Sequence, residues 1–190
     1  SRSGTIYSIN DDYSETNLAP WAKNYIDTVF FDPSFINYHP KSTAYWFNGC
    51  RDLLAIKNIQ YLKTDSVKSM KSMFDYCMSL SILDVSNFNT ENVTNFCKTF
   101  NQCMSLKFLD VSRFNTKNAT DMSWMFRHCN MLSSIDLSSF NTDHVTTMSS
   151  MFEDCGSLTS LNLGSFNTEN VETMSSMFED CHRMSSFDLS

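Results

Sequence analysis

The chain has 190 residues, with 16 Phe, 12 Met and 7 Cys against only 4 Gly and 3 Pro. A hydrophobic fraction of 42% excludes a disordered chain, and so little Gly and Pro excludes a collagen-like or linker-like one, leaving Asn, Asp and Ser to make the turns. The formal net charge of −7 (14 basic, 21 acidic side chains) argues against nucleic acid or anionic lipid as a partner, because both are held chiefly by Lys and Arg.

In chain order, residues 4–9 (Gly-Thr-Ile-Tyr-Ser-Ile) read as a strand, Pro20-Trp21-Ala22-Lys23 as a helix start, and residues 26–31 as a second strand. Glycines at 4, 49, 156 and 164 fit no phosphate-cradling spacing. No apolar run approaches the roughly 18 residues of a membrane span, and no signal peptide is visible in the chain.

From residue 41 onward the chain is periodic. Val67, Val93, Ala119, Val145 and Val171 stand 26 residues apart. Phe74, Phe100, Phe126, Phe152 and Phe178 follow each anchor by seven, and Cys77, Cys103, Cys129, Cys155 and Cys181 by ten. Met pairs at three and six complete the pattern, except that Phe96 and Thr99 replace them in the second unit. Apolar residues at 0, +3, +6, +7 and +10 predict a helix, started by Asn-Thr followed by an acid as in Thr90-Glu91. The period then falls to two: Leu80-x-x-Leu83-x-Val85 and its copies at 106–111, 132–137 and 158–163 predict a short half-buried strand. One such unit cannot bury its own apolar face, but stacked units can.

The L-x-x-L-x-L core within this period is a leucine-rich-repeat pattern. The full unit, M-x-x-M-F-x-x-C-x-x-L-x-x-L-D-L-S-x-F-N-T, resembles the BspA-like leucine-rich repeats of bacterial surface proteins, in particular a subgroup with a Met-Phe-x-x-Cys helix. Ala44-Tyr45-Trp46-Phe47-Asn48-Gly49-Cys50 is similar to that family's opening unit, although the spacing slips to 27 between Cys50 and Cys77. The fold so predicted is an α/β, right-handed solenoid of 26-residue helix–strand units with a parallel sheet on its concave face. Residues 1–40 would cap it, and residues 41–190 would form the solenoid, truncated in mid-unit at its C-terminal end. That end would be open to end-to-end self-association.

Strand alternation turns Asp84, Asp110, Asp136, Asn162 and Asp188 to the open concave face, beside Ile82, Phe108 and Ser134. Carboxylates stacked one strand apart should repel and raise one another's pKa. The ladder reads either as a solvated acidic face whose Asp groups bond nearby Ser or backbone, or as a recognition surface for basic or hydroxyl-rich partners. Six of the seven cysteines form one inward column of buried thiols, and Cys97, off that column, is expected to be exposed. His39, His128, His144 and His182 read as surface residues; His128-Cys129 and Cys181-His182 are sequence neighbours that would point apart. The sequons Asn92-Val93-Thr94 and Asn118-Ala119-Thr120 recur as parts of the repeat, which gives them a structural origin. No metal or cofactor motif and no catalytic set is apparent. The resemblance implies a non-enzymatic module of a secreted or surface-anchored bacterial protein, binding host matrix or cell-surface proteins in adhesion. A structural spacer is the alternative, and an unseen hydrolase a remoter one.

Overall fold

The computed structural model describes residues 9, 11–23 and 25–188. The strand expected over residues 4–9 lies outside them, apart from Ile9. Successive units stack as coils in a 26-residue register, joined by isolated parallel bridges Ser69 to Asn95, Asn95 to Asp121, Asp121 to Thr147 and Thr147 to Thr173. Down the axis runs a column of rings, Phe47, Phe74, Phe100, Phe126, Phe152 and Phe178, stacked face to face at centroid separations of 5.4–5.9 Å. The expected Met, Phe and Cys columns are core except in the last unit, where Met174 is 45% exposed.

The expected helix is absent: among the described residues there is no α-helix. In a helix each N–H would bond four residues back. Here Met73 N–H donates to Met70 O and Cys77 N–H to Phe74 O, three residues back, whereas Met70, Ser72, Phe74 and Tyr76 donate to Asn95, Cys97, Thr99 and Asn101 of the next coil. Ser72 and Tyr76 take positive φ (53° and 62°), which reverses the chain at the third residue of each turn. The same pair of left-handed residues recurs as Lys98/Gln102, Trp124/His128, Ser150/Asp154 and Ser176/Asp180. Two successive tight turns therefore place apolar residues at 0, +3, +6, +7 and +10 inward just as a helix face would. The sequence does carry one sign of this: Gly49, at φ 78°, holds the position that Tyr76 holds one coil later. The Asn-Thr-acid segment makes its expected cap bond, Glu91 N–H to Asn89 Oδ1 at 3.0 Å, but as a two-residue side-chain turn that starts no helix.

The expected parallel sheet is also less continuous than the sequence predicts. Strand β1 (Thr28–Phe30) pairs in parallel with β2 (Ala55–Lys57), and β3 (Ser160–Asn162) with β4 (Ser186–Asp188). The three units between them run through 82–84, 108–110 and 134–136 without strand structure. They are held instead through their turns and side chains. Thr64, Thr90, Thr116 and Thr142 are buried, and each hydroxyl both donates to the carbonyl and accepts from the N–H of an Asn in the following coil. This bond pair is why Phe-Asn-Thr recurs.

Against the first coil lie Tyr13, Ala19, Trp21 and Phe31, all buried. Trp21 is in a 3-10 turn over Pro20–Lys23, where a helix start was expected, and its indole N–H donates to Trp46 O at 2.6 Å. A second 3-10 turn, Pro33–Asn37, is capped by Asp32 and sets Phe35 edge-on to Phe31 at 4.9 Å.

Candidate functional site

Ile82, Asp84, Phe108, Asp110, Ser134, Asp136, Asn162 and Asp188 are all exposed, as alternation predicts. Ile82 is 77% and Phe108 67% exposed, although the next residues in the chain, Leu83 and Leu109, are 7% and 2% exposed. Phe108, Asp110, Ser134 and Asp136 come together in a shallow open depression with Leu109, Ser112 and Ile135. Ile82 and Phe108 precede Ser134, Ser160 and Ser186 in one register position, which therefore turns from apolar to hydroxyl after the Phe108 coil.

The acid ladder does not behave as expected. Asp84, Asp110 and Asp136 are held below, not above, the ordinary carboxylate pKa. For Asp84 and Asp110 the largest cause is the side-chain bond to Ser86 or Ser112, followed by the backbone N–H of the same serine. For Asp136 the Ser138 backbone N–H comes first. Repulsion between ladder members is the smallest contribution to Asp84 and Asp136. Each carboxylate accepts from an N–H two residues on: Ser86 at 3.0 Å, Ser112 at 3.0 Å and Ser138 at 2.9 Å. Solvent screens the repulsion while the local bonds stay short. Asn162 makes the same bond to Gly164 N–H at 2.9 Å, so an amide serves this turn as well as a carboxylate.

Cys77, Cys103, Cys129 and Cys155 are fully buried and Cys181 is half-buried. Each Sγ of these five donates to a Phe carbonyl in the preceding coil at 3.0–3.2 Å, as Cys103 does to Phe74 O. Burial pushes the Cys50 thiol up to about 12 and raises the deeper ones well above the ordinary value. Cys97, expected to be exposed, is 5% exposed, because the tight turn tucks it under Ser123, whose Oγ lies 3.4 Å from Sγ. A helix would have turned it outward.

Two of the four histidines, His39 and His128, form inter-coil polar contacts. His39 Nδ1 lies 2.9 Å from Asp65, and His128 Nδ1 lies 2.7 Å from Asp154. With Cys129 buried and bonded to Phe100 O, neither member of the His128-Cys129 neighbours faces the other's chemistry. The sequon amides are likewise in use: Asn92 Nδ2 donates to Asp65 O at 2.8 Å and Asn118 Nδ2 to Glu91 O at 2.7 Å. Among the described residues no three His, Cys, Asp or Glu side chains converge as a metal site.

One cluster escaped the sequence reading. Asp75 is 4% exposed and accepts from Asn101 Nδ2 at 2.7 Å and Asn48 Nδ2 at 3.1 Å. Burial raises its pKa despite those bonds. Asn101 Oδ1 beside it has no hydrogen-bond partner. Asn48 and Asn101 in the flanking coils, at the same register as Asp75, were the available signal.

Residues 41–135 and again 98–189 match the family model described as "Mycoplasma protein of unknown function, DUF285". Two solved structures are similar in shape. A leucine-rich repeat protein from Bacteroides ovatus ATCC 8483 is 20% identical at a TM-score of 0.47, covering 85% of this chain and 45% of its own. A leucine-rich repeat protein from Eubacterium ventriosum ATCC 27560 is 18% identical at 0.38, covering 90% of this chain and 45% of its own. The chain thus spans less than half the length of either. No curated protein matches significantly. Because the two family matches together take in residues 41–189, the protein belongs to the DUF285 family.

Proposed function

We propose that the chain is a non-enzymatic protein-binding module of leucine-rich-repeat type, BspA-like in its Met-Phe-x-x-Cys subgroup, with residues 1–40 as the N-terminal cap of a right-handed solenoid. It works at the surface of a bacterial cell, or secreted from one, in adhesion to host matrix or cell-surface proteins. The observation that carries this reading is the exposure of Ile82 and Phe108 on the open face beside Asp110 and Asp136. A fixed coil stack holds two large apolar side chains in water, which is unfavourable for an isolated chain and useful for a binding one. The repetition of one environment along the ladder supports recognition over catalysis, since paired acids acting as acid and base need distinct surroundings.

The unbroken ring column and coil-to-coil bonding also suit a stiff spacer. One experiment separates the two. Binding of the chain to immobilised matrix and cell-surface proteins is measured alongside an Ile82→Ser/Phe108→Ser variant. The binding module predicts saturable binding that the variant loses; unchanged binding in the variant, or none in either protein, defeats it.

A further inference from the structure

The open face changes character along the stack, and its chemistry narrows what can occupy it. Ile82 and Phe108 are 77% and 67% exposed in consecutive coils, and the same register position then becomes Ser134, Ser160 and Ser186. Alongside run three carboxylates, Asp84, Asp110 and Asp136, each with one oxygen, Oδ1, bonded to a backbone N–H. That bonding favours the charged form. The field of Arg113 lowers Asp110. A partner covering this face must therefore bring apolar surface to Ile82 and Phe108 and positive charge to the carboxylates, of which Asp110 and Asp136 share a depression with Phe108.

We infer that the occupant is an extended polypeptide segment with a large apolar side chain flanked by Lys or Arg, laid across the coils from Ile82 to Asp136. This rests on the protein-binding reading above and supplies its partner chemistry. Coils about 4.8 Å apart and an extended chain rising about 3.3 Å per residue mean that about three residues cross the three coils, so a segment of about eight covers the patch with residues to spare on either side. Arginine suits it best, since its guanidinium can pair with a carboxylate while its plane lies on the Phe108 ring. An open depression with an aliphatic Ile beside the ring favours a peptide over a sugar, which needs stacking area and enclosing hydrogen bonds.

The natural Asn162 supplies the test. Because it caps its turn as the aspartates do, Asp84→Asn/Asp110→Asn/Asp136→Asn removes three charges and keeps the turns. Lys at these positions would break both at once. Three fluorescein-labelled peptides of about eight residues are titrated with the whole chain, at about 50 and 500 mM NaCl. One alternates Phe or Leu with Arg, one replaces Arg by Glu, and one keeps Arg but replaces the apolar residues by Ser. Fluorescence anisotropy should show binding of the first alone. High salt should weaken it, and the triple Asn variant should weaken it by about tenfold or more and remove most of the salt effect. Phe108→Ser should also cost at least about tenfold. Equal binding of the Glu peptide, or an unchanged affinity in the triple Asn variant with an unaltered melting curve, overturns the inference. If no peptide binds but the chain still binds an immobilised protein through Phe108, this partner chemistry is wrong and the protein-binding reading stands. If neither binds, both fall.

Discussion

The Thr116 hydroxyl donates to the Asn141 carbonyl at 2.8 Å and accepts from the same residue's N–H at 2.8 Å, so one buried side chain satisfies both backbone groups of a residue one coil away. Thr64, Thr90 and Thr142 repeat the arrangement. It does for the stack what a strand ladder does for a sheet.

Removing that hydroxyl without changing volume should leave an N–H and a C=O buried and unpaired. Thr116→Val is expected to destabilise the chain by about 2–4 kcal/mol, and Thr116→Ser by about 1 kcal/mol or less. Urea unfolding of the three proteins checks this. A Val variant as stable as wild type would mean that the clamp contributes nothing.

The turns make a sharper claim than the packing does. Gln102 has φ 57° and its N–H donates to Arg127 O at 2.8 Å. Glycine tolerates that φ freely whereas a β-branched residue resists it. Gln102→Gly should leave the midpoint of thermal unfolding unchanged or raised, and Gln102→Val should cost about 1–2 kcal/mol. In an α-helix the order would reverse, with glycine the worse of the two, so the ranking discriminates directly.

Thiol reactivity follows burial. Burial raises the pKa of every cysteine here, most of all Cys77, Cys103, Cys129 and Cys155. The thiolate is the reactive form, so native protein at pH 8 should be alkylated first at half-buried Cys181 and at the interior column only on unfolding. Mass mapping after brief iodoacetamide treatment reads this out. Early labelling of Cys103 would contradict the stack.

Asp75 should tune stability with pH. Its folded pKa is raised, by burial above all, so its contribution is fully present below the unfolded value near 3.8 and is lost as pH rises through the folded pKa. The ladder aspartates, shifted the other way, contribute above 3.8 and lose that contribution as pH falls through their lowered values. Asp75→Asn removes the buried charge and offers an amide to the unpaired Asn101 Oδ1 once the pair reorients. It should raise the melting temperature at pH 7, with the gain shrinking toward pH 4. A loss at pH 7 would show that the carboxylate is needed by its two Asn neighbours.

How far the sequence could be read depended on which signals it repeats. The 26-residue period, the inward Phe, Met and Cys columns and the outward Ile82, Phe108 and Asp ladder were all legible, because side-chain polarity at fixed offsets reports burial whatever the backbone does. The backbone itself was not. A helix and a pair of tight turns can place Val145, Met148, Met151, Phe152 and Cys155 on the same side, and the turn residues that tell them apart are Ser150 and Asp154, where a glycine would have announced the turn. Cys97 was misplaced for the same reason: its direction was deduced from a helical wheel. The ladder's lowered pKa values were missed because the bond from Ser112 N–H to Asp110 is local and screened repulsion between coils is weak.

The measurement that bears most directly on the central claim is a hydrogen–deuterium exchange footprint of the chain with the protein partner found in the binding panel. Protection should concentrate on 82–86, 108–112 and 134–138 and disappear in the Ile82→Ser/Phe108→Ser variant. Protection confined to the tight turns around Trp124 and Ser150, with the open face exchanging as in the free chain, would place binding elsewhere and contradict the account.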